Sequence, residues 1–216
     1  MSSRASMPPL KPEAGWFGAW LTAARASLRG ERHGLDVPCG ECTGCCTSSL
    51  FIHVGPDETK TLEAIPLRLL VRAPGRPRGH LLLGFADDGS CPMLKARACS
   101  IYEHRPRTCR DYDCRIFAAA GMAAGGDDKA AINERVHAWR FSYESDVERR
   151  AHAAVGAAAA FIRDQRESFP GGAAPSSPTE IAVLALKVYA VFVDAPARSA
   201  ADTAAAIVAA SREFDQ

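Results

Sequence analysis

The chain has 216 residues, 47% of them hydrophobic, and a formal charge of only +1. That is enough apolar material for one compact domain with helical elaboration, and no long run of one charge sign marks a nucleic-acid or anionic-membrane partner. Ile181 to Val193, the longest apolar run, is interrupted by Lys187 and falls short of the roughly 20 residues that cross a bilayer, so it is expected to be a buried helix.

Residues 1–15 are rich in Ser, Pro and Ala and lack the apolar core of a secretory signal, so they read as a disordered N-terminus of a cytoplasmic protein. Trp16 to Arg29 places Trp16, Phe17, Trp20, Leu21, Ala24 and Leu28 at helical spacing, and Gly30 and Gly34 end that helix. Gly34 to Ser49 is predicted to be an irregular loop. Leu50 to Val54 reads as a short strand, followed by a helix from Pro56 to about Leu70 and a loop over Ala73 to Gly79. Leu81 to Phe85 and Cys91 to Leu94 flank a turn-rich connection, which predicts a β-hairpin with Cys91 opening its second strand.

Beyond Gly126, the residues Val136, Trp139, Tyr143, Val147, Ala151, Ala154, Ala158 and Phe161 predict one long amphipathic helix. After a linker from Pro170 to Ser176, Ser177-Pro178-Thr179-Glu180 supplies a helix cap, a proline at the first helical position and a capping-box glutamate. Ser199 to Arg212 is expected to close the chain as an alanine-rich helix. The expected fold class is mainly α with a small β-hairpin, the cysteine-rich loops packed on a helical bundle. Residues 16–118 would form a cysteine-cluster domain, and residues 127–216 a helical extension packed on it.

All eight cysteines lie between Cys39 and Cys114. Eight thiols in a reducing compartment point to metal, cluster or redox chemistry, ahead of a disulfide framework. Cys39, Cys42, Cys45 and Cys46 form CxxCxxCC, whose two-residue spacings let thiolates turn toward a common centre, while Gly40 and Gly44 leave amides free to donate to sulfur. Adjacent side chains diverge, so Cys45 and Cys46 are expected to have divided roles: one serves the centre, and the other binds a second centre, bridges metals, forms a redox disulfide or simply packs. Cys91, Cys99, Cys109 and Cys114 complete the candidate metal ligands. Cys109 and Cys114 would stand about 140° apart on one helix, so both reach one centre only if the helix ends between them.

CxxCxxCC followed by CPMLxxxxCSIYExRPxxCRxYxC resembles the YkgJ-type cysteine-cluster family of zinc- or iron-chelating proteins, over Pro38 to Arg115. The resemblance implies a metal-binding cysteine module. One relative, the flagellin lysine methylase type, joins such a module to methyl transfer, but no separate methyl-donor fingerprint stands in this sequence. Thiolate ligation admits an iron-sulfur cluster or zinc, and eight sulfurs, more than one structural zinc needs, favour the cluster. Arg105 and Arg110, more than Arg107 and Arg115, are candidates to balance thiolate charge. Tyr102 and Tyr112 are expected to shield the centre, and His104, His53 and His33 are weaker ligand candidates. Three functions follow: metal binding with a redox, metal-handling or cluster-dependent role; a zinc-stapled adaptor presenting its C-terminal helices to a protein partner; and a methyltransferase-like enzyme.

Overall fold

A computed structural model describes residues 13–32, 34–35, 37–39, 41–172, 174–193 and 198–216. Of the expected disordered N-terminus, residues 1–12 lie outside this set, as do His33 and Gly40. Glu13–Trp16 forms a strand, β1. Helix α1, Phe17–Leu28, follows with Phe17, Trp20, Leu21 and Ala24 buried, matching the expected stripe.

The cysteine loop contains a 3-10 turn, Gly44–Thr47, and leads into β2, Ile52–Val54. The helix expected from Pro56 to Leu70 is cut to α2, Thr59–Ala64, because Pro66 cannot donate the next helical hydrogen bond. A 3-10 turn, Leu67–Leu69, and a strand not foreseen, β3, Leu70–Arg72, take its place. Strand β4, Leu81–Leu83, lies between β2 and β3, antiparallel to both, with Leu83 opposite Ile52 on one side and Leu70 on the other.

With both edges of β4 occupied, the expected hairpin between Leu81–Phe85 and Cys91–Leu94 does not form. The hairpin is instead β5, Leu94–Lys95, with β6, Ala98–Cys99, and Cys91 sits in the approach to it. Its tight connection puts Ala96 and Arg97 at positive φ. Helix α3, Arg107–Asp111, and helix α4, Arg115–Ala120, carry the chain past the last two cysteines, and Gly121 closes α4 in the left-handed conformation favoured after a helix.

The long helix expected beyond Gly126 is broken. Helix α5, Ala130–Ala138, stops where Trp139 turns extended; Arg140–Ser142 forms β7, parallel to β1; and a new helix, α6, Asp146–Asp164, starts at Ser145, whose hydroxyl accepts the Glu148 N–H. Trp139 lies in the core, as its place on the apolar stripe suggests, and is 4% exposed. Helix α7, Pro178–Val188, carries the predicted capping box intact, and α8, Ala200–Phe214, closes the chain.

Two apolar cores result. The larger gathers Phe17, Phe117, Ile162, Leu186 and Ile207 with many smaller residues from both sides of residue 118, packing α1, α4, α6, α7 and α8 together. The smaller holds Ile52, Val54, Ile65, Leu83 and Met93, under the three-stranded sheet and the hairpin. The cysteines lie along the seam between them.

Candidate metal centre

Each cysteine is delivered by a short element whose local chemistry can be traced. The Cys42 N–H donates to the Cys39 carbonyl at 3.0 Å and the Cys46 N–H to the Thr43 carbonyl at 2.8 Å, so CxxCxxCC is a succession of tight turns. The 3-10 turn over Gly44–Thr47 then sets Cys46 about 120° around from Cys45. Gly44 is needed here. A Cβ on it would meet the Ala131 carbonyl oxygen of α5 at 2.9 Å.

Helix α5 grips this loop along one face. Arg135 donates to the carbonyls of Pro38 at 2.9 Å and Cys39 at 3.2 Å, and Lys129, just before the helix, donates to the Ser48 carbonyl at 2.6 Å. The Trp139 indole N–H, at the helix end, donates to Cys114 Sγ at 3.2 Å. The Arg135 guanidinium also stacks over Trp139, 4.2 Å from the ring centroid, and its buried Nε has no hydrogen-bond partner among the described residues. A spare cationic donor beside a thiol suits a site that carries negative charge.

Cys114 caps the start of α4 beside the ion pair of Asp113 and Arg115, both buried. Asp113 accepts from the Arg115 guanidinium at 2.8 Å and from the Trp20 indole at 2.8 Å, while Arg115 also donates to the Ala14 carbonyl at 3.0 Å. These bonds tie Cys114 to β1, α1 and α4 at once.

On the other side of the seam, the Cys91 N–H donates to the Cys46 carbonyl at 2.7 Å, and Cys99 lies across the hairpin from Leu94, three residues beyond Cys91. Cys109 rides on α3, which packs on β2, with the Thr108 hydroxyl donating to the His53 carbonyl at 2.8 Å. Buried Glu58 sets the start of α3: its carboxylate accepts the Gly55 N–H at 2.8 Å and the Arg107 N–H at 2.6 Å. Replacing Glu58 with Ala is expected to cost about 2–3 kcal/mol in urea unfolding, with Glu58→Gln costing less, because the charged acceptor of two backbone donors is lost. Equal losses for the two variants would show that the carboxylate charge is not what matters.

All eight cysteines are free thiols; Cys114 is buried, Cys109 is exposed as a residue, and the others are half-buried. Burial, and then neighbouring sulfurs, hold Cys45, Cys46 and Cys109 in the thiol form. Cys45 is pushed far up by burial, then by Cys114, Cys39 and Cys42. Cys46 is pushed up to about 11 by burial, then by Cys91 and Cys99, and Cys109 to about 12 by burial around its sulfur, then by Cys91, Cys46 and Cys99. Cys114 is raised to about 11 by burial, against the Trp139 hydrogen bond. Arg135 and Arg115 act on Cys39 in the opposite sense, as Arg105 does on Cys109. Among the described residues, no three His, Cys, Asp or Glu side chains are gathered closely enough to clasp an ion as they stand.

Other expected participants are placed differently. Tyr102 is exposed and lies under the Arg105 guanidinium, whereas Tyr112 is half-buried and packs against the larger core near Cys45 and Cys114. Arg107 pairs with Asp57, Arg115 with Asp113, and His53 with His80, ring nitrogens 2.9 Å apart. Arg135, Lys129, Trp139 and Asp113 were not singled out as site residues from the sequence. The signal for Asp113 was an acidic residue directly before a cysteine; for the other three only the α5 packing reveals it.

Free thiols with N–H donors and guanidinium groups beside them are the donor chemistry of a metal-chelating cysteine module. Residues 38–124 match the family model described as "CxxCxxCC: Putative zinc- or iron-chelating domain". No curated protein and no solved structure matches the chain. Among the described residues, no helix is long and apolar enough to cross a membrane.

Proposed function

We propose that Cys39, Cys42, Cys45, Cys46, Cys91, Cys99, Cys109 and Cys114 bind iron in iron-sulfur form, and that the protein serves redox, metal-handling or cluster-dependent chemistry in the reducing cytoplasm. What supports this is that free thiols from separate elements are neighbours, Cys45 with Cys114, Cys39 and Cys42, and Cys109 with Cys91, Cys46 and Cys99. The donor set fits: all-sulfur ligation suits thiophilic metal, and the N–H···S bonds from Gly44 to Cys42 and from Trp139 to Cys114 are of the kind that tune a cluster's potential.

A second reading is a zinc-stapled adaptor whose C-terminal helices face a protein partner. It is favoured by the smaller core, whose five buried residues need a staple. The two readings separate on protein purified without oxygen from iron-supplemented cells. Iron with matching acid-labile sulfide and visible thiolate-to-iron absorption supports the cluster; stoichiometric zinc without sulfide supports the adaptor; metal-free folded protein overturns both.

A further inference from the structure

We propose that the eight cysteines form two separate four-thiolate centres, Cys39, Cys42, Cys45 and Cys114 against the helical core, and Cys46, Cys91, Cys99 and Cys109 against the hairpin core. The proposal rests on the metal-binding reading above and adds how the ligands divide. Each centre takes one metal unit with four thiolate positions, a zinc ion or an iron-sulfur cubane.

Three independent features of the backbone make the division. The 3-10 turn Gly44–Thr47 rotates successive residues by about 120°, so Cys45 and Cys46 face different ways. The apolar surroundings agree: Cys45 and Cys114 pack with the larger core, and Cys91 with the smaller. Finally, α3 ends at Asp111 and Tyr112 is extended, so the chain delivers Cys109 on the β2 side of the seam and Cys114 at the start of α4, under the Trp139 indole.

The sulfurs that act most on three of the thiols lean to the same partition: Cys114, Cys39 and Cys42 ahead of Cys46 on Cys45; Cys91 and Cys99 ahead of Cys42 and Cys39 on Cys46; and Cys91, Cys46 and Cys99 on Cys109. The surrounding charges also differ between the sets. Arg135 and Arg115 face the first, whereas Arg105 faces Cys109 in the second. The thiols of each set are neighbours and not yet a closed cage; metal binding, with loss of their protons, completes it. The adjacent cysteines of the motif then serve as a bridge of one peptide unit between two centres, and neither needs to distort to reach its partner's ligand.

The test uses full-length protein, stripped of metal under reducing conditions and titrated without oxygen with Co²⁺ as the probe. Wild type is expected to bind two equivalents. Cys45→Ser, Cys114→Ser and the double variant within that set each keep half, and Cys45→Ser/Cys99→Ser, which cuts both sets, keeps none. If double variants within and across sets lose metal equally, the thiols form one shared centre and the division is wrong. Should the helical-core variants fail to fold, Cys91→Ser/Cys99→Ser carries the same test, keeping half of the wild-type metal under two centres and none under one. Wild type that binds no Co²⁺ and retains neither iron nor zinc on isolation overturns the metal reading itself. Iron, sulfide and zinc in the same variants purified from cells identify which unit each set holds.

Discussion

Asp113→Ala is expected to destabilise the protein by about 3–5 kcal/mol, because it strands a buried guanidinium. Asp113 and Arg115 are 6% and 7% exposed, and the carboxylate also accepts the Trp20 indole N–H. Removing it leaves Arg115 with only the Ala14 carbonyl and leaves the indole without an acceptor. Urea unfolding followed by tryptophan fluorescence reads the loss. Replacing both Asp113 and Arg115 with apolar residues of similar size should cost less than the single change, since no charge is then left buried. A single variant within about 1 kcal/mol of wild type would show that water reaches the pair and that it does not organise the Cys114 end of the site.

Metal withdrawal should have the larger effect, and a regional one. Strands of two or three residues over a five-residue core bury too little apolar surface to hold themselves, whereas the helical core buries residues from most of the chain. Structural zinc supplies about 10–16 kcal/mol of apparent binding energy in small domains, all of it coupled to folding. Chelation under reducing conditions is therefore expected to speed amide exchange in β2 to β6 by roughly 100-fold or more, while α6, α7 and α8 keep their protection. Uniform acceleration would mean that the two cores unfold as one unit. Unchanged exchange in the strands would mean that the thiols contribute nothing to their stability.

The methyltransferase-like alternative acquires no support from these residues, and the weight of the site stays with the thiols. What a partner would meet on the C-terminal helices is a separate question, since α7 and α8 spend their apolar residues on the larger core.

The features legible in the sequence are those whose cause lies within a few residues. The capping box at Ser177 and the apolar stripe of α1 each depend on neighbours three or four positions away, and the sequence determined them alone. Tertiary structure decided the rest, because each remaining choice turned on competition between distant segments. Strand β4 paired with β2 and β3 and so denied Cys91 a strand. Trp139 ended α5 to bury its ring and bring its N–H to Cys114, trading helical periodicity for burial that local pattern cannot anticipate. The two cores, lying on either side of the seam, then placed Cys109 and Cys114, only five residues apart, with different companions.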